Sequence, residues 1–170
     1  MRLRENRSET GDTFPELMIS VVLIVGFFAA IFEVNGACLR YINATKENVA
    51  AIQGVQDRLE QLRSMAFTDV TSAAKMTTAL TAPSNGADFT IGQVTETVTL
   101  TNYPSGTPTA TFTRTPGASV TPSVSWSGGS SFPTTTTMVK ANVRYTWTMT
   151  LGQRFRSEET ETIISTGVKR

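Results

Sequence analysis

The sequence predicts an α+β chain: a long N-terminal helix, apolar in its front half and amphipathic behind, packed on a C-terminal antiparallel β-sheet head. Three observations predict it. Leu17–Phe32 is apolar and carries no charge. Behind it, apolar residues recur at steps of three, four and seven as far as Ala66, the spacing of one helix face. Across Val139–Met149 apolar and polar residues alternate, the period of a half-buried strand.

Composition narrows the function. The chain has 170 residues and a formal net charge of +1, room for one ordinary domain. The charge balance gives no reason to expect a nucleic-acid partner. Cys38 is the single cysteine, which rules out an intrachain disulfide. There is no histidine, so the commonest general base and metal ligand are missing. No enzyme activity and no cofactor are expected.

The first element is the segment 1–11, "MRLRENRSETG". It is polar and carries Arg2, Arg4 and Arg7 ahead of the apolar run. Basic residues before an apolar run are an export signature, with the arginines held on the cytoplasmic side. The run Leu17–Phe32 has sixteen residues, about 24 Å of helix against a hydrocarbon core of about 30 Å. It spans marginally, or thins its surroundings. Three readings follow. A secretory signal could be cut after the run, although "FEVNGAC" offers a poor small-x-small site. Cys38, after Asn35-Gly36-Ala37, could be a lipidated residue. Or cleavage falls before the run, at Gly11, and the run stays in the mature chain.

The third reading accounts for Glu16, a carboxylate at the front edge of an apolar stretch. "Gly11-Asp12-Thr13-Phe14-Pro15-Glu16-Leu17-Met18-Ile19" resembles the type IV prepilin signature. The resemblance implies cleavage by a prepilin peptidase between Gly11 and Asp12, with Glu16 fifth in the mature chain. It implies N-methylation of the new amine at Asp12. It also implies that Glu16 docks subunits by meeting a neighbour's amine, which lowers the cost of a buried unpaired charge. Asp12 stands where the family usually has phenylalanine, and Pro15 where an aliphatic residue is common. Proline is tolerated in a first helical turn. The plainer account of Glu16 is a helix-start acid facing the N-terminal dipole.

The helix is expected from about Phe14 to about Ala66, weakened at Gly26, Gly36 and Gly54. Its apolar stripe is Ile42, Val49, Ile52, Leu59, Leu62 and Ala66. Lys46, Asn48, Asp57, Arg58, Glu60 and Arg63 fall on the other faces. "QDRLEQLRSMAF" is rich in helix formers, and "RLEQLRSMAF" resembles the end of this helix in minor pilins and minor pseudopilins. The stripe also permits a coiled-coil stalk. Cys38, with no histidine to activate it, is expected to be a small packed thiol.

From Thr68 the head is expected to be β-rich. In "TTMVKANVRYTWTMT", Val139, Ala141, Val143, Tyr145, Trp147 and Met149 share one face, and Lys140, Asn142 and Arg144 the other. Leu151–Gln153 is a turn, and "RFRSEETETIIST" a polar partner strand. The hairpin resembles the terminal strands of minor pseudopilins. An earlier strand, "DFTIGQVTETVTLT", slips phase between Ile91 and Val94, which suggests a bulge at Gly92-Gln93. The region 102–137 is rich in Thr, Ser, Pro and Gly, with strand candidates at Ala110–Thr113 and Ser123–Trp126. It reads as strands and loops, or as a target for O-glycans. Trp126 and Phe132 are a contact point or core. Glu159 and Glu161 share a strand face and Glu158 points away. Without further oxygen ligands they read as a solvated face that discourages edge pairing, not as a calcium site.

The expected organisation is a leader at 1–11, a helix at 12–67 and a head at 68–170. The resemblance implies a structural subunit of a bacterial pilus or secretion pseudopilus, held in the inner membrane with its head in the periplasm. Its implied partners are other pilin or pseudopilin subunits, the prepilin peptidase, the inner-membrane assembly platform and the membrane itself. The alternative is a periplasmic binding module, anchored by the helix or by a lipid on Cys38, that never polymerises.

Overall fold

Fifty-one residues, Phe14–Ser64, form the single helix α1. The computed structural model describes residues 14–82, 94–115 and 121–167. Pro15 lies in the first turn of α1 with Glu16, and Arg63 lies in the last turn; both charges oppose the helix dipole. The helix runs unbroken through Gly26, Gly36 and Gly54. It stops at Ser64, not Ala66. Ser64 Oγ donates to Gln61 O at 2.7 Å, and Ala66 is already extended, at φ −65° and ψ 144°.

The chain divides into two compact units between Tyr41 and Ile42. In the first unit α1 is exposed and apolar over Phe14–Phe32. It is long and apolar enough to cross a membrane and lies near the N-terminus. Cys38 is exposed, which corrects the expected packed thiol: no described residue of this unit covers it.

In the second unit the back of α1 is followed by two short helices, α2 (Phe67–Val70) and α3 (Ala73–Ala79). A β-rich start at Thr68 is thereby corrected. Val70, Met76 and Leu80 are buried, and "AAKMTTA" contains strong helix formers. Five strands follow: β1 (Thr95–Asn102), β2 (Thr109–Arg114), β3 (Ser123–Ser127), β4 (Met138–Thr148) and β5 (Phe155–Ser165). They form one antiparallel sheet in the order β3-β2-β1-β4-β5. This is the α+β arrangement the sequence predicts, and it is consistent with a pilin-like fold. The strand candidates in 102–137 are β2 and β3. The expected bulge at Gly92-Gln93 lies outside the described residues.

The inner sheet face follows the predicted alternation. Val139, Ala141, Val143, Tyr145, Trp147 and Met149 are all buried. Leu100 lies between Ala110 and Ala141 in register, so its large side chain meets small neighbours. The β4–β5 turn carries positive φ at Gly152 (73°) and Gln153 (48°), and Met149 N donates to Arg154 O at 2.9 Å. Trp126 and Phe132 meet edge to face at 5.2 Å and pack against the core.

The helix stripe needs correction. Ile42, Val49 and Ile52 are 49%, 48% and 41% exposed, and Ala66 is exposed. Leu59 and Leu62 are buried as expected, but the rest of the buried face is Ala44, Glu47, Ala51, Gly54, Val55 and Arg58. Alanine and glycine let the helix axis lie close to the sheet; larger isoleucines would hold it off.

Candidate functional site

Glu16 is exposed in the first turn of α1. Its backbone carbonyl accepts from Ser20 Oγ at 2.9 Å, and no described residue pairs with its carboxylate. The other residues of the sequence motif, Gly11 and Asp12, lie outside the described residues. The exposed apolar surface of Phe14–Phe32 with a carboxylate at its leading edge is the first candidate site. Such a surface buries itself only in lipid or against other helices.

The second cluster is inside the head. Arg58 is 1% exposed and so is Glu96. Arg58 Nε donates to Glu96 Oε1 at 2.5 Å and Nη2 to Glu96 Oε2 at 3.1 Å, a bidentate pair. The remaining donors are also used: Nη2 reaches Ala82 O at 2.8 Å, Nη1 reaches Ala79 O at 3.4 Å, and Nη1 also donates to Gln61 Oε1. One side chain of α1 therefore holds β1 and the chain leaving α3. Arg58, expected on a face other than the apolar stripe, is thus buried, and so is Glu96, which residue type alone does not single out. Spacing carried the signal in both cases. Arg58 falls in step with Ala51, Val55 and Leu62, and Glu96 alternates in phase with Val98 and Leu100.

Two further links tie α1 to the hairpin. Glu47 is 2% exposed; its carboxylate accepts from Thr150 N at 3.3 Å and from Thr150 Oγ1. Arg63 donates through Nε and Nη2 to Thr162 Oγ1 at 3.1 and 2.8 Å. These groups are committed to fixed partners, so their work is to position the head on the helix. Because Thr150 is exposed and water can replace its lost acceptor, Glu47→Ala should cost about 1–2 kcal/mol. Denaturant unfolding of the head checks this, and faster amide exchange at Thr150 should accompany the loss.

No family model, curated protein or solved structure matches this chain. A reading of function therefore rests on its own geometry and sequence.

On the outer sheet face, Lys140 pairs with Glu161 at 2.7 Å and Arg144 with Glu159 at 2.6 Å. Glu159 and Glu161 share this face, while Glu158 lies in register with inward-facing Tyr145. They sit on β5, an edge strand, and charge there opposes pairing with another chain. Among the described residues no group of three or more acidic, Cys or His side chains is placed to hold a metal ion.

Proposed function

We propose that this chain is a type IV pilin-like subunit, a minor pilin or minor pseudopilin. In this reading a prepilin peptidase cuts it after Gly11. The front of α1 holds it in the bacterial inner membrane, and the head sits in the periplasm. It then joins related subunits in a pilus or pseudopilus, through the assembly platform of that membrane. The observation that carries the reading is α1 itself: a helix of 51 residues whose front is apolar and exposed, with Glu16 in its first turn, and whose back is fastened into a sheet head. A simple anchor has no need of that carboxylate, whereas a helix that must pair with a neighbour's amine does.

The test is the mature N-terminus. Mass spectrometry of membrane-extracted protein, made in a bacterium with a prepilin peptidase, should give a chain beginning at Asp12. Gly11→Leu should abolish that cut. A chain retaining Met1–Gly11 would overturn the proposal, and one beginning at Cys38 would favour the lipid-anchored binding module. The docking role is tested separately. Asp12→Asn with Glu16→Gln should be cleaved normally yet lose crosslinking to partner subunits at matched protein levels.

A further inference from the structure

The two edges of the sheet differ in character. At one end β5 carries Glu158, Glu159 and Glu161. At the other end β3 is Ser123-Val124-Ser125-Trp126-Ser127, and the sequence has no charged residue from Thr115 to Val139. Charge is a common guard against edge pairing, and this edge is without it. β3 pairs with β2, and among the described residues no backbone hydrogen bond runs along its other side. Val124 lies in register with Phe112, yet Phe112 is buried and Val124 is 38% exposed.

We propose that β3 pairs with β3 of a second copy, antiparallel and centred on Ser125, so that two heads share one sheet. The strand reads nearly the same in both directions. Two-fold pairing about Ser125 therefore sets Ser123 against Ser127 of the second copy, and Val124 against Trp126 of the second copy, each twice. An aromatic side chain opposite a β-branched one is a favourable cross-strand pair. Across the joined inner face the row reads Phe112, Val124, then Trp126 and Ala110 of the second copy, so each ring has a smaller neighbour. On the outer face serine meets serine. β5 is the poorer occupant. In the phase where β3 offers Val124 and Trp126, β5 offers Glu158 and Thr160, which lie in register with Tyr145 and Val143. Paired with itself about Thr160, β5 would set Glu159 against Glu161 of the other copy, and like charges directly opposite are destabilising. A β3–β5 contact would also leave an edge free at each end and build an open chain, whereas β3 with β3 closes as a pair. Five residues a side is a small contact, so the pair belongs to the weak, transient class.

Disulfide trapping reads this register. The full chain in detergent micelles, in a Cys38→Ser background, is oxidised with copper phenanthroline and run on a non-reducing gel. Ser125→Cys should give a linked dimer, since opposite Cβ atoms lie about 4.5–5.5 Å apart, close to the separation of a disulfide. Ser157→Cys, exposed on β5, should link roughly tenfold more slowly, because nothing holds its sulfurs at that separation. Ser123→Cys and Ser127→Cys should each link slowly alone, their like positions being about 13–14 Å apart, and quickly when the two chains are mixed. Val124→Asp sets a carboxylate against Trp126 of the second copy; it should slow Ser125→Cys linkage roughly tenfold with the circular dichroism of the chain unchanged. The proposal fails if Ser157→Cys links as fast as Ser125→Cys, if Ser125→Cys does not link, or if mixing Ser123→Cys with Ser127→Cys adds nothing. Fast self-linkage of Ser123→Cys would mean a parallel pair and would also overturn it. None of these yields depends on cleavage at Gly11 or on Glu16, so this proposal and the function proposed above fall separately.

Discussion

Arg58→Met should remove about 3–5 kcal/mol of head stability, because it leaves Glu96 as a buried carboxylate with neither of its charged hydrogen bonds. Heads of this size have only about 5–15 kcal/mol in total, so the variant should be largely unfolded on mild heating. The reverse change should be gentler. In Glu96→Gln the guanidinium keeps the carbonyls of Ala79 and Ala82 and the Gln61 side chain, and an amide oxygen stands in for one carboxylate oxygen. The double variant Arg58→Met, Glu96→Leu should recover most of the loss, since apolar side chains of similar size can replace a buried pair at little net cost. Urea unfolding of a soluble head measures all three. Equal losses for Arg58→Met and Glu96→Gln would show that the carbonyl contacts hold nothing. No recovery in the double variant would show that the site needs its charges.

The same pair explains where the sequence was hard to read. The front of α1 was legible because Leu17–Phe32 carries no charge over sixteen residues, whereas the strands alternate apolar and polar residues. Strand β4 was legible because its alternation runs unbroken from Met138 to Thr148, and its partner β5 because Leu151–Gln153 supplies the turn. Arg58 and Glu96 are not, because a charge suggests solvent by residue type, and only its phase with Ala51, Val55, Val98 and Leu100 points inward. The stripe on α1 failed for a related reason. The helix carries two faces of interest, and Ile42, Val49 and Ile52 are more apolar than Ala44, Ala51 and Gly54. The sheet takes the smaller set because it needs close approach.

Helices α2 and α3 were missed because each is shorter than the window in which a helical period shows itself. Ala73, Met76 and Leu80 make little more than two turns, and the surrounding threonines suggest strand or loop. Of the candidate assembly site, Glu16 and the exposed apolar helix behind it are described. The proposed cut between Gly11 and Asp12 rests on a family resemblance alone, since no packing or hydrogen-bond argument in a single chain singles out a peptide bond for cleavage.

A chain beginning at Ile42 should be soluble and unfold cooperatively; one beginning at Thr68 should do neither. Among the described residues the first member of the buried core is Ala44. Starting at Thr68, in contrast, removes Val55, Leu59 and Leu62, each worth about 1.5–3 kcal/mol when buried. The removal also uncovers what they touch. Val143, Tyr145 and Trp147, which share one buried core with them, would lose part of their cover, Glu96 would lose Arg58, and Thr150 would lose Glu47. Summed, these losses are of the order of 10 kcal/mol, comparable to the whole stability of a domain this size. Circular dichroism, solubility and the sharpness of the urea transition separate the outcomes. A cooperative transition in the Thr68 chain would mean the sheet finds its core without the helix. Single changes grade the effect: Leu62→Ala in the Ile42 chain should cost about 2–5 kcal/mol, while Ile52→Ala, on the exposed side, should stay within about 0.5 kcal/mol of the parent. An equal loss at both positions would mean that the face of α1 assigned to the head is the wrong one.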